Sequence, residues 1–270
     1  MARLCLFLMV LLLTLPVYAV AEAMVLLQGY LGNDDPWRRS GVASALLGAG
    51  WNDGGHLITT PRGVVHRSAT GYSTRRFYTL ALDTEAPLLE QARQLDPYMA
   101  EILQQHSGET LYLVGHSAGG VLGRLYMVQH PQIRIGALIT FSSPHLGTAS
   151  AEAGLFAGQS PLGLFAPLLG ADGLNRSQGL YHDLAREQPG TLLFWLNRQP
   201  HPRSRYFSVV HNGGGLLGLG DLVVPQWSQD MNNVPVLHGR SQTLGVPGGH
   251  ELSPADGGLL LKILRRLHAS

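Results

Sequence analysis

Beyond about residue 24, short unbroken apolar runs alternate with longer stretches whose apolar residues recur at helical spacing. The runs predict strands over residues 24–28, 77–82, 111–114, 135–141, 206–210 and 242–246. The periodic stretches predict helices. Residues 37–49 carry Val42, Leu46 and Leu47 on one face, with Gly50 to end them. Residues 85–105 carry Leu88, Leu89, Ala92 and Leu95, with a break or kink near Pro97. Residues 118–130 form a helix stopped by Pro131. Ser253-Pro254-Ala255-Asp256 opens the last helix with a capping serine, a first-turn proline and an early acid. Leu260, Ile263, Leu264 and Leu267 then face the core. Residues 51–75 are Gly-rich and polar and give no assignment. Strands separated by helices imply a mostly parallel central sheet with right-handed crossovers and helices on both faces. Burial of both faces explains the unbroken apolar runs. In such sheets, sites form beyond the carboxyl ends of the strands.

The first residues change the picture. Arg3 precedes a nearly continuous apolar stretch over residues 4–17, and Ala19-Val20-Ala21 and Ala21-Glu22-Ala23 offer small-residue cleavage points. This layout predicts a signal peptide over residues 1–23, with residues 24–270 as the mature domain, secreted or periplasmic. The competing reading is an uncleaved anchor; a span needs about 20 apolar residues, and Pro16 shortens this run. Cys5, the only cysteine, falls inside the segment, so the mature chain has no disulfide and no cysteine metal site.

Lys and Arg total 19 against 18 for Asp and Glu, with no basic run, which excludes a nucleic-acid groove. Charged residues are 14% of the chain, below the roughly 25% usual for soluble proteins. That fits a protein handling apolar material, and equally a large buried sheet.

The candidate chemistry lies at Gly115-His116-Ser117-Ala118-Gly119, between a predicted strand and a predicted helix. Gly-x-Ser-x-Gly in that context is a nucleophile elbow. The turn is so sharp that side chains at Gly115 and Gly119 would collide with neighbouring backbone. Ser117 is lifted above the sheet at a helix N-terminus, where free N–H groups favour negative charge. A hydroxyl needs a base, and the base needs an orienting acid. In chain order, Asp221 follows the strand at 206–210, and His250 follows the strand at 242–246. His238, His211 and His145 compete as the base, and Asp230 and Asp256 as the acid; Asp256 is better explained by the start of the last helix. Acyl transfer also needs donors for a developing oxyanion. The N–H of Ala118 is one; the N–H of Tyr30, in the early loop Gln28-Gly29-Tyr30-Leu31-Gly32, is the candidate second.

These segments together resemble the lipase and esterase branch of the α/β-hydrolase superfamily, over roughly residues 25–267. The pieces that carry the resemblance are Gly115 to Gly119, Ser143-Pro144-His145-Leu146-Gly147-Thr148, Gly220-Asp221-Leu222-Val223-Val224-Pro225 and Gly249-His250. The second piece is similar to a Pro-His-x-Gly segment of bacterial triacylglycerol lipases and of lipase-like GPI-inositol deacylases. The resemblance implies the α/β-hydrolase fold, Ser117, Asp221 and His250 as a triad, and Tyr30 and Ala118 as oxyanion donors. The early loop departs from the branch, beginning Gln28-Gly29 where His-Gly is usual.

Residues 149–181 sit where such folds carry a cap, and are crowded with Leu155, Phe156, Leu162, Phe165 and other apolar residues. A mobile cap meeting lipid is expected, against a cap packed shut over a small pocket. His145, Leu146, Phe156 and Phe165 are expected to line the substrate. The expected partner is a lipid or small ester, and neither a metal nor another cofactor is expected. An acyltransferase or amidase uses the same triad, and a non-catalytic partner-binding protein is the alternative of another class.

Overall fold

The computed structural model describes residues 21–32, 36–71, 74–159, 176–213, 221 and 223–269. Residues 1–20 of the signal peptide expected over 1–23, residues 160–175 of the cap expected over 149–181, with Phe165, and the Gly-rich segment 214–220 lie outside the described residues.

Eight strands form one sheet: β1 Glu22–Leu27, β2 Asn52–Thr60, β3 Gly63–Arg67, β4 Arg75–Leu80, β5 Thr110–His116, β6 Ile135–Phe141, β7 Arg205–His211 and β8 Ser241–Val246. Their spatial order is β3-β2-β4-β1-β5-β6-β7-β8. The β2–β3 pair is antiparallel, and every other pair is parallel. The helices are α1 Pro36–Arg39, α2 Val42–Gly48, α3 Leu88–Gln105, α4 Ala118–Gln129, α5 Ala149–Gln159, α6 Gln178–Leu184, α7 Leu192–Leu196, α8 Gln226–Gln229 and α9 Pro254–His268.

The unbroken apolar runs feed two cores at once. Successive strand residues point to opposite faces. Ala23, Val25 and Leu27 therefore enter one core with Leu88 and Leu95 of α3 and Val121 and Leu125 of α4. Met24 and Leu26 enter the other, with Val42 and Leu46 of α2 and Leu260, Ile263 and Leu264 of α9.

Three local expectations need correction. The helix expected over residues 37–49 is two helices, because Gly41 sits at φ 85° between them. This left-handed conformation suits glycine, and the bend lets α2 pack against α9. Residues 51–75, left unassigned, contain the β2–β3 hairpin and the first residue of β4. The alternate residues of β3 are exposed at the sheet edge, and β2 shifts register between Asp53 and His56, so no apolar run marks them. Pro97 lies inside α3 without ending it, and α3 starts at Leu88 rather than residue 85. The Leu88 N–H there donates to Asp183 Oδ2 at 2.7 Å, a cap supplied from α6 that local sequence does not announce. One boundary also differs: β1 begins at Glu22, inside the segment assigned to the leader. Among the described residues, no helix is long and apolar enough to cross a membrane.

Candidate active site

The turn from β5 to α4 carries Ser117 at φ 52° and ψ −128°, a strained backbone for a residue with a side chain. The flanking glycines make that turn sterically feasible. A Cβ on Gly115 would come within 2.4 Å of Gly120 backbone, and one on Gly119 within 2.4 Å of the Leu27 carbonyl oxygen. Gly29, at the end of β1, passes so close that a Cβ there would lie 2.7 Å from Ser117 Cβ. The Ser117 N–H is held by the Phe141 carbonyl oxygen at 2.9 Å.

The structure brings Ser117, His250 and Asp221 together. His250 Nδ1 lies 2.8 Å from Asp221 Oδ2, and His250 Nε2 lies 3.1 Å from Ser117 Oγ. A carboxylate only accepts, so Nδ1 carries the hydrogen and Nε2 accepts from the serine hydroxyl. The Asp221 side chain is fully buried. Its Oδ1 accepts the N–H groups of Val223 and Val224, both at 2.9 Å, and its Oδ2 also accepts Gln229 Nε2 at 3.1 Å. Burial alone would push this carboxyl up; the His250 bond and charge and the two backbone donors together outweigh it and hold it below its ordinary value. The His116 ring stands 5.1 Å from the His250 ring. Burial, then the charge of His250, pulls His116 down to about 4.

The N–H groups of Tyr30 and Ala118 have no hydrogen-bond partner among the described residues. Tyr30 OH lies 2.6 Å from Tyr181 OH, which ties the early loop to α6. A cavity of about 490 Å³ opens over Ser117 and His250. Its walls include Tyr30, Ala151, Leu180, Leu184 and Val224.

The expected substrate-lining residues fare differently. Pro144 and Thr148 face the cavity, but His145 between them turns inward and is fully buried. Its Nδ1 accepts from Arg124 Nη1 at 3.3 Å, so its Nε2 donates to Thr140 Oγ1 at 3.1 Å. Arg124, also fully buried, donates further to Asn197 Oδ1 at 2.6 Å and His201 Nε2 at 3.2 Å. Burial pulls this arginine down to about 9. His145 is thus a brace of the 142–148 loop, drawn inward by a buried cation. Leu146 packs against the core. Phe156 is 79% exposed, while Ser150, Ala151 and Gly154 of the same helix line the cavity instead. Among the rivals, His211 and Asp256 bond each other at 2.9 Å, and His238 binds the Asn232 carbonyl oxygen at the surface. Asp256 Oδ2 accepts the Ser253 N–H at 2.8 Å, in keeping with its place at the start of α9. Sequence reasoning missed Arg124, Tyr181 and Gln229, none of which belongs to a motif. Among the described residues, no group of three or more His, Cys, Asp or Glu is placed to hold a metal ion.

A mostly parallel sheet with a serine at a strand-to-helix turn, facing a histidine and an aspartate, defines the class of α/β hydrolases. A family model described as alpha/beta hydrolase fold matches residues 22–193, and the chain belongs to that family. Solved structures share the fold at low identity. The mature form of Bacillus licheniformis lipase BlEst2 is 18% identical, with 93% of this chain matched to 95% of that one and a TM-score of 0.54. Its propeptide form gives a TM-score of 0.60 at 17% identity, and there this chain spans 52% of the longer protein. Est1E from Butyrivibrio proteoclasticus is 13% identical, over 94% of this chain and 91% of that one, with a TM-score of 0.55. A search of curated protein sequences found no match. The chain therefore has the fold of esterases and lipases, in keeping with a hydrolytic enzyme.

Proposed function

We propose that this protein is a serine hydrolase of carboxylic esters, with lipid esters as its substrates. The observation that carries the reading is the unbroken hydrogen-bond path from Asp221 through His250 to Ser117 at the wall of a cavity. In the proposed reaction, Ser117 Oγ attacks the ester carbonyl carbon while its proton passes to His250 Nε2. The carbonyl oxygen becomes an oxyanion beside the N–H groups of Tyr30 and Ala118. Collapse breaks the bond to the alcohol, which leaves with the proton from His250. Water then repeats the sequence on the acyl-enzyme and releases the carboxylic acid.

A fluorophosphonate probe and an ester panel graded by chain length test this. The expected result is labelling and turnover that both vanish in Ser117→Ala. Turnover that survives Ser117→Ala overturns the serine mechanism; labelling without ester turnover, with amides or added alcohols consumed instead, overturns the ester assignment. We propose also that the protein is exported and its leader removed. A cut after Ala21 leaves β1 whole, whereas one after Ala23 takes its first two residues. Intact mass of the exported protein checks this, and retention of Arg3 overturns it.

A further inference from the structure

Gln229 is fully buried on α8, and every polar atom of its side chain is engaged. Its Nε2 donates to Asp221 Oδ2 at 3.1 Å and to the Val224 carbonyl oxygen at 2.8 Å. Its Oε1 accepts the His211 N–H at 2.9 Å. His211 ends β7, and its ring is held in turn. Nδ1 meets Ser142 Oγ at 2.7 Å, and Nε2 meets Asp256 Oδ1 at 2.9 Å. Asp256 Oδ2 accepts the Ser253 N–H and hydroxyl at 2.8 and 2.9 Å, three residues beyond His250. Ser142, His211 and Asp256 repeat the residue types of the candidate site, but all three are buried. Sealed from solvent, they brace the frame and offer no second nucleophile.

This frame joins the ends of β6 and β7 to the two loops that carry the acid and the base. Gln229 is its only member in contact with the Asp221 carboxylate. Asp221 Oδ1 is fixed by two backbone donors; Oδ2, the atom that faces His250, is shared between His250 and Gln229. From this geometry we infer that Gln229 is a positioning residue. Its amide fixes the carboxylate oxygen that orients His250, and ties the acid loop to the end of β7. The inference rests on the serine-hydrolase reading above.

The test compares Gln229→Met and Gln229→Glu with the native protein and with Ser117→Ala. kcat, KM and the pH profile are measured on one soluble ester, beside thermal melts. Gln229→Met removes the donor at similar volume; the expected loss is about tenfold in kcat with KM within about twofold. Gln229→Glu places a second carboxyl beside Asp221. Added negative charge favours the protonated imidazole, so the acid limb of kcat moves to higher pH by about one unit. Lower melting temperatures with kcat, KM and acid limb unmoved would make Gln229 a support of the fold alone and overturn the inference. Should Gln229→Glu fail to fold, the kcat of Gln229→Met decides. Full turnover in Ser117→Ala defeats the serine reading itself; a dead Ser117→Ala beside unaltered Gln229 variants defeats only this inference.

Discussion

His116 Nε2 lies 2.8 Å from the backbone carbonyl oxygen of His250. A carbonyl oxygen only accepts, so His116 donates through Nε2. The residue before Ser117 thereby clamps the backbone of His250, coupling the β5 turn to a loop 134 residues further along the chain. The His116 ring also stacks edge-on against Trp37, with centroids 6.4 Å apart. His116→Phe keeps a ring in that place and removes the bond. The expected outcome in steady-state kinetics is a fall in kcat of roughly tenfold, the worth of about one hydrogen bond, with KM nearly unchanged. An unaltered kcat would show that His250 needs no such clamp.

Asp221→Asn tests the acid. The replacement presents an amide where His250 Nδ1 needs an acceptor, and so favours the wrong imidazole tautomer. Turnover is expected to fall by roughly 10⁴. Single-turnover labelling by a fluorophosphonate should slow as well, since it draws on the same activation of Ser117. A loss under about tenfold would assign the orienting role to another group.

Arg124 is expected to matter for stability and only indirectly for turnover. Three neutral acceptors on His145, His201 and Asn197 converge on its guanidinium. Arg124→Met removes the cation and strands them in the interior. A buried acceptor left without its donor costs about 1–3 kcal/mol. Denaturant unfolding should show that loss. A change below about 0.5 kcal/mol, the size of an ordinary surface substitution, would mean that the cluster repacks freely.

The fold was legible wherever a strand or helix buried an unbroken apolar pattern. β6 matches its expected bounds residue for residue, and β5 and β7 differ only at their ends. The β2–β3 hairpin was not legible, because an exposed edge strand carries no continuous apolar run and Gly54-Gly55 interrupts its partner. Ser117, His250 and Asp221 could be picked out as candidates because the expected acyl-transfer chemistry restricts residue type and chain order at those points. His145 could not be placed correctly. Its segment looks like a site loop, and only the buried Arg124, on another element, explains why the ring turns inward. Gln229 follows from no local signal; its partners lie at Asp221, Val224 and His211, and only folding brings them round one amide.

Three buried histidines set how stability responds to acid. Burial, with neighbouring cationic groups second, holds His116 near 4 and His201 near 3, and His145 well below its ordinary value. In the unfolded chain each titrates near its ordinary value of about 6.5. Unfolding between those limits therefore takes up protons, and stability falls as pH drops below about 6.5. At pH 5 the three together take up about three protons, each worth roughly 1.4 kcal/mol per pH unit. The lowered carboxyls of Asp221 and Asp256 act in the same direction at lower pH, since each must be protonated out of its hydrogen bonds. The denaturant midpoint should accordingly drop steeply between pH 7 and pH 5. In His116→Phe the slope should lose about one proton's share. A midpoint that stays level across this range would mean that the three imidazoles are protonated in the folded protein, against the accepting role that Arg124 imposes on His145 and His201.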